Sequence, residues 1–109
     1  MNEEIIKLEN EAEQLKQDGK HQEAIEKLQE ALKLDEKFAR GHLALSVLYH
    51  LVQDYERSCF HGEQVVEIEP DDAFNHTALS VTYQRAFEGT RDPIYIQKAE
   101  EAMARSRGG

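Results

Sequence analysis

The 109-residue chain is 39% apolar and 32% charged, with a formal charge of −9. That length suffices for one domain with a buried core, and the excess acid repels phosphate, which excludes nucleic acid and anionic membrane as partners and leaves apolar or basic ones. The lone Cys59 excludes an internal disulfide, no stretch nears the ~20 apolar residues of a membrane-spanning helix, and Met1-Asn2-Glu3-Glu4 does not open a signal peptide, so the expected location is cytoplasmic.

In chain order, the first unit spans about residues 5–38. Leu8, Ala12 and Leu15 mark a first helix, Asp18-Gly19 a turn, and Ala24, Ile25, Leu28, Ala31 and Leu32 recur at helical spacing in a second helix. The second unit, about 39–72, repeats this layout: Leu43, Leu45, Leu48 and Tyr49, then Gln53-Asp54, where Asp54 can cap the helix that follows. Pro70-Asp71-Asp72 ends that helix and offers aspartates to cap the next. In the third unit, about 73–106, the helical pattern runs through Phe87 to Gly89-Thr90-Arg91-Asp92-Pro93, which predicts a longer crossing. Asp92-Pro93 then starts a last helix ending near Ser106. One domain over 1–106 is expected, with 107–109 as a disordered tail.

Shifting the sequence by 34 positions lays His42-Leu43-Ala44-Leu45-Ser46-Val47-Leu48-Tyr49 on His76-Thr77-Ala78-Leu79-Ser80-Val81-Thr82-Tyr83, with six identities in eight positions. The second helix of the third unit obeys the same offset only after seven extra residues, which align Ala99 with Ser58. Ala12, Ser46 and Ser80 fall at one repeat position, where two helices that touch closely require a small side chain. Glu11 stands where Leu45 and Leu79 sit, as suits a terminal unit with no neighbour on that side.

His42-x2-Leu45-Ser46-x2-Tyr49, then Ser58-x3-Gly62, then Pro70 resembles the tetratricopeptide repeat pattern, and the resemblance covers nearly the whole chain. It implies an all-α fold: a right-handed superhelical stack of antiparallel helical hairpins, about six helices in all. It further implies a non-catalytic module that binds another protein or peptide on a concave surface lined by the first helix of each hairpin. Carried onto this chain, the groove positions are Ile6, Glu9, Glu13 and Lys16; Arg40, Leu43, Val47, His50 and Leu51; and Phe74, Thr77, Val81, Gln84 and Arg85. Leu43, Val47, Leu51, Phe74 and Val81 would form an apolar strip for a peptide or amphipathic helix, unless they merely pack against the long third-unit loop or the tail. The positions where family members clamp acidic chaperone C-termini hold Glu9, Glu13, Ala44, Phe74 and Ala78. Two carboxylates there argue against such tails.

The histidines invite a metal reading, but Cys59 and His61 are two residues apart and point to different sides of a helix, and no His-x3-His or Cys-x2-Cys occurs. No metal or other cofactor is expected. His42 and His76 share a repeat position at which packing is the expected role. Cys59 aligns with the core position Ile25, so it is expected to be buried and inert, and no enzyme chemistry is predicted. An alternative function is structural self-association, a homodimer formed through the last helix by Ile94, Ala99 and Met103.

Overall fold

The computed structural model describes residues 2–108. Six helices follow one another: α1 (Glu3–Gln17), α2 (His21–Leu34), α3 (Ala39–Leu51), α4 (Tyr55–Ile68), α5 (Ala73–Thr90) and α6 (Ile94–Ser106), with no strand among the described residues. They pair as three antiparallel hairpins that pack side by side, α2 against α3 and α4 against α5, while α3 also meets α5. The molecule measures 37 × 28 × 19 Å.

Local chemistry sets the helix ends. Asn2 accepts from the Glu4 amide at 2.7 Å, Asp54 from Arg57 at 3.1 Å and Asp72 from Phe74 at 2.9 Å, so the predicted aspartate caps of α4 and α5 are formed. Asp92 does the same for Ile94 at 3.1 Å, and Pro93 supplies a helical φ of −61° just before α6. The three loops inside hairpins, 18–20, 52–54 and 91–93, are equally short. Each contains one left-handed residue: Gly19 at φ 78°, Gln53 at 63° and Arg91 at 64°. Glycine adopts this conformation without strain, whereas Gln53 and Arg91 cost about 1–2 kcal/mol each.

The third crossing is therefore not longer, which corrects the expectation. Five of the seven extra residues extend α5, which has 18 residues against 13 in α3, and the other two precede Ala99 at the start of α6. Gly89 lies within this extension because a Cβ there would collide with the Tyr55 ring of α4. Residues 107 and 108 do not trail away either: the Arg107 amide donates to the Met103 carbonyl and the Gly108 amide to that of Arg105, closing α6 with a turn. Met1 and Gly109 lie outside the described residues.

The core is layered along the stack. Ala12, Ala24, Ile25 and Leu28 of the first hairpin enclose Leu45, Leu48 and Tyr49 of the second. Cys59 does the same with Leu79, Tyr83, Ala86, Ala99 and Ala102. Ile25, Leu28, Leu45 and Leu48 are almost wholly buried, each contributing about 1.5–3 kcal/mol. The small residues lie at the helix crossings as predicted. Ser46 Oγ donates to the Ser58 carbonyl at 2.9 Å and Ser58 Oγ to the Ser46 carbonyl at 2.7 Å. Ser80 Oγ donates to the Ala99 carbonyl at 2.9 Å, so Ala99 faces Ser80 as Ser58 faces Ser46. In the Ser58-x3-Gly62 segment, a Cβ at Gly62 would come within 3.1 Å of Leu79 Cδ1, so the missing side chain lets Leu79 of α5 settle onto α4.

Candidate protein-binding cleft

Between α1 and α3 lies a cleft of about 410 Å³ lined by Glu9, Asn10, Ala12, Glu13, Lys16, Leu28, Arg40, Leu43, Ala44, Val47 and Leu48. The repeat places it: the faces of α1 and α3 turned toward α2 bury Ala12, Leu45 and Leu48, which leaves Glu13, Leu43 and Val47 on the neighbouring face. Of the predicted groove residues, Glu9, Glu13, Lys16, Arg40, Leu43 and Val47 come together here. Glu9 and Arg40 hold each other: Nε and Nη2 of Arg40 donate to the two carboxylate oxygens, each at 2.9 Å. This bidentate pair ties the first hairpin to the second and raises the guanidinium pKa, chiefly through the hydrogen bond to Glu9.

The other predicted groove residues lie outside this cleft. Leu51 and Phe74 are exposed, at 43% and 64%, Ile6 is exposed on α1, and Val81 is half-buried. Thr77 Oγ1 donates to the Ala73 carbonyl within its own helix. The His50 ring lies 6.0 Å from that of Tyr55, and burial, followed by the Arg85 charge, lowers its pKa. Gln84 lines a different cleft of about 510 Å³ between α5 and α6, together with Phe87, Glu88, Ile96, Glu100 and Met103. Of the predicted self-association residues, Ile94 is exposed and Met103 half-buried, whereas Ala99 is buried at 6% against α5. In the register set by Ser80 and Ala99, Glu100 of α6 and Arg107 just beyond its end occupy the places of Cys59 and Val66 of α4.

Three contacts escaped the sequence reading. Gln29 donates to Tyr49 Oη at 2.8 Å, and the Tyr83 hydroxyl donates to Glu63. These are one contact used twice, a tyrosine of a first helix reaching back to the preceding second helix, and both its members obey the 34-residue offset. The third is between histidines. His42 Nε2 lies 2.8 Å from the Glu36 carbonyl, and its Nδ1 lies 2.9 Å from Nδ1 of His61. A carbonyl only accepts, so the neutral His42 ring carries its proton on Nε2, and the Nδ1–H of His61 donates to the bare Nδ1 of His42. The Tyr49 ring stacks on His61 at 5.5 Å. Burial above all, then His42 and Arg57, holds the His61 pKa down to about 4.

Cys59 is 5% exposed, and burial, with the nearby Glu63 charge, pushes its thiol up to about 12, so it carries no thiolate at neutral pH. Among the described residues no three histidine, cysteine or acidic side chains group to hold a metal, and no helix is long and apolar enough to cross a membrane.

Hairpins that stack by matching faces, with a cleft between first helices, define the class as an all-α helical repeat. The comparisons agree: residues 12–53 match the family model of the TPR repeat. No curated protein matches the chain. The six helices and that match fit a TPR-like repeat, a family whose members are in general non-catalytic protein–protein interaction modules.

Proposed function

We propose that this protein is an adaptor that holds a peptide or helix of another protein between α1 and α3, with apolar anchors of the ligand against Leu43 and Val47. The observation that carries this reading is the cleft itself. It has an apolar floor of Ala12, Leu28 and Leu48 and a rim of Glu9, Glu13, Lys16 and Arg40, the arrangement by which grooves take amphipathic segments. Because Glu9 and Arg40 neutralise each other, apolar contact dominates recognition and Glu13 favours a basic flank on the ligand. Peptides selected for binding from a random display library test the idea. Leu43→Glu with Val47→Glu should abolish their binding while helicity is kept, and Val81→Glu, outside the cleft, should not. Equal binding to the first variant and the parent protein sinks the proposal.

Self-association through α6 is the second reading, supported by Ile94 and Ile96, each 45% exposed. Glu100 and Arg107 weigh against it, because they put charge where α4 presents Cys59 and Val66 to its neighbour. A monomer by sedimentation at ~100 μM rules the second reading out, and a dimer lost on Met103→Asp supports it.

A further inference from the structure

The paired imidazoles of the middle hairpin are a titratable contact that the cleft does not use. His42 is 7% exposed and joins three parts of the chain: the link between α2 and α3 through the Glu36 carbonyl, α3 itself, and α4 through His61. The ring centres are 5.2 Å apart with 2.9 Å between the nitrogens, so the rings meet nearly end-on.

We propose that this contact is an acid-sensitive latch, which holds α4 to α3 and to the preceding link at neutral pH and releases that end of the hairpin when both rings are protonated. The argument is one of proton positions. A first added proton can go to Nε2 of His61 and leave the Nδ1–H···Nδ1 bond intact. A second has only Nδ1 of His42, which already faces an N–H at hydrogen-bond distance, so two donors would point at each other and the rings must part. Once they part, each ring takes its proton from water, and opening is coupled to proton uptake.

The charged and titratable surroundings do not offset this. On α4, Arg57 stands one turn before His61 and opposes its protonation, as does His42. Arg57 itself is tied to Asp54 at 2.7 Å. From α3 come His42 and the stacked Tyr49 ring, from the link the main-chain carbonyl of Glu36, and from α2 the neutral Gln29 through Tyr49.

Amide hydrogen exchange read by mass spectrometry at about pH 7 and about pH 5, corrected for intrinsic rates, tests the latch. Peptides from α4 and from residues 35–38 should lose roughly 10-fold more protection at the lower pH than peptides from α5 and α6. His61→Asn, whose amide N–H stands at the Nδ1 position and does not titrate, should remove that difference. Uniform loss along the chain, or the same local loss in His61→Asn, overturns the proposal. Should His61→Asn not fold, NMR titration of the His61 ring in the unsubstituted protein decides. A His61 curve displaced below the usual histidine range is expected, and a His61 curve near ~6.5 overturns it. His42 adjoins Leu43 on α3, so release would also weaken a ligand in the cleft. That consequence rests on the proposed binding role, whereas exchange and titration need no ligand, so the two ideas can fail separately.

Discussion

Replacing Ser80 by leucine probes how closely the hairpins meet. Ser80 is 1% exposed, and its Oγ lies 2.9 Å from the carbonyl oxygen of Ala99 on α6. A leucine puts a carbon in place of that oxygen and two methyl groups beyond it, whereas carbon against a carbonyl oxygen needs about 3.3–3.6 Å. The helices must separate by roughly half an ångström at the branch carbon and by more at the methyls. Overpacking of this kind costs about 1–3 kcal/mol and the lost hydrogen bond about 1, so the expected loss is about 2–4 kcal/mol. At about 4–8 °C per kcal/mol for a chain of this size, Tm should fall by roughly 8–32 °C. Ser80→Ala should lose only about 1 kcal/mol, because Ala12 serves the same position in the first hairpin. Urea and thermal unfolding followed by circular dichroism measures both variants. If Ser80→Leu loses no more stability than Ser80→Ala, the helices are not in the close contact described.

Other outcomes test separate contacts. Gly89→Ala should destabilise despite the higher helix propensity of alanine, and should become stabilising by up to ~1 kcal/mol once Tyr55→Ala removes the ring it strikes, which a double-mutant unfolding cycle would show. His61, held down to about 4 in the fold, binds a proton in the unfolded chain that the native protein refuses. Stability is therefore full above pH ~6.5 and drops as pH falls toward 4, by up to about 3 kcal/mol. The urea midpoint should follow that slope in the parent protein and less so in His61→Asn, and a parent midpoint that is flat or rises over this range refutes the assignment. Glu9→Gln breaks an exposed ion pair and should cost no more than ~1 kcal/mol, a loss that shrinks with added salt. Cys59 should resist a thiol reagent in the native protein and react at the unfolded rate in urea.

Much of the architecture was legible because each helix had to show its buried stripe in the spacing of residues such as Ile25, Leu28, Leu45 and Leu48. The 34-residue self-match then supplied the order in which those stripes meet. Gly89-Thr90-Arg91 misled, since glycine usually punctuates a helix, yet here its missing side chain makes room for Tyr55, a contact that no local pattern reveals. Of the positions read as groove-facing, Glu9, Glu13, Lys16, Arg40, Leu43 and Val47 line one cleft, because positions on successive first helices follow from the repeat. The mutual pairing of Glu9 and Arg40 was not legible, because pairing depends on how far two hairpins rotate against each other. The Tyr49–Gln29 and Tyr83–Glu63 bonds were within reach, since 29 and 63 differ by the same offset as 49 and 83. The His42–His61 contact could also have been anticipated once Ser46 was set opposite Ser58, because antiparallel helices bring His42 and His61 level in that register.

Packing that joins each helix chiefly to its neighbour in sequence makes the molecule a short row of coupled links. Among the described residues the first hairpin meets the third chiefly by way of the second, so strain or support applied at one end is passed along and diluted at each step. A ligand seated across α1 and α3 would brace the first two links directly, while α5 and α6 would gain firmness only through α3 and α4. The far end of the row should consequently go on fraying at nearly its own rate when the near end is occupied.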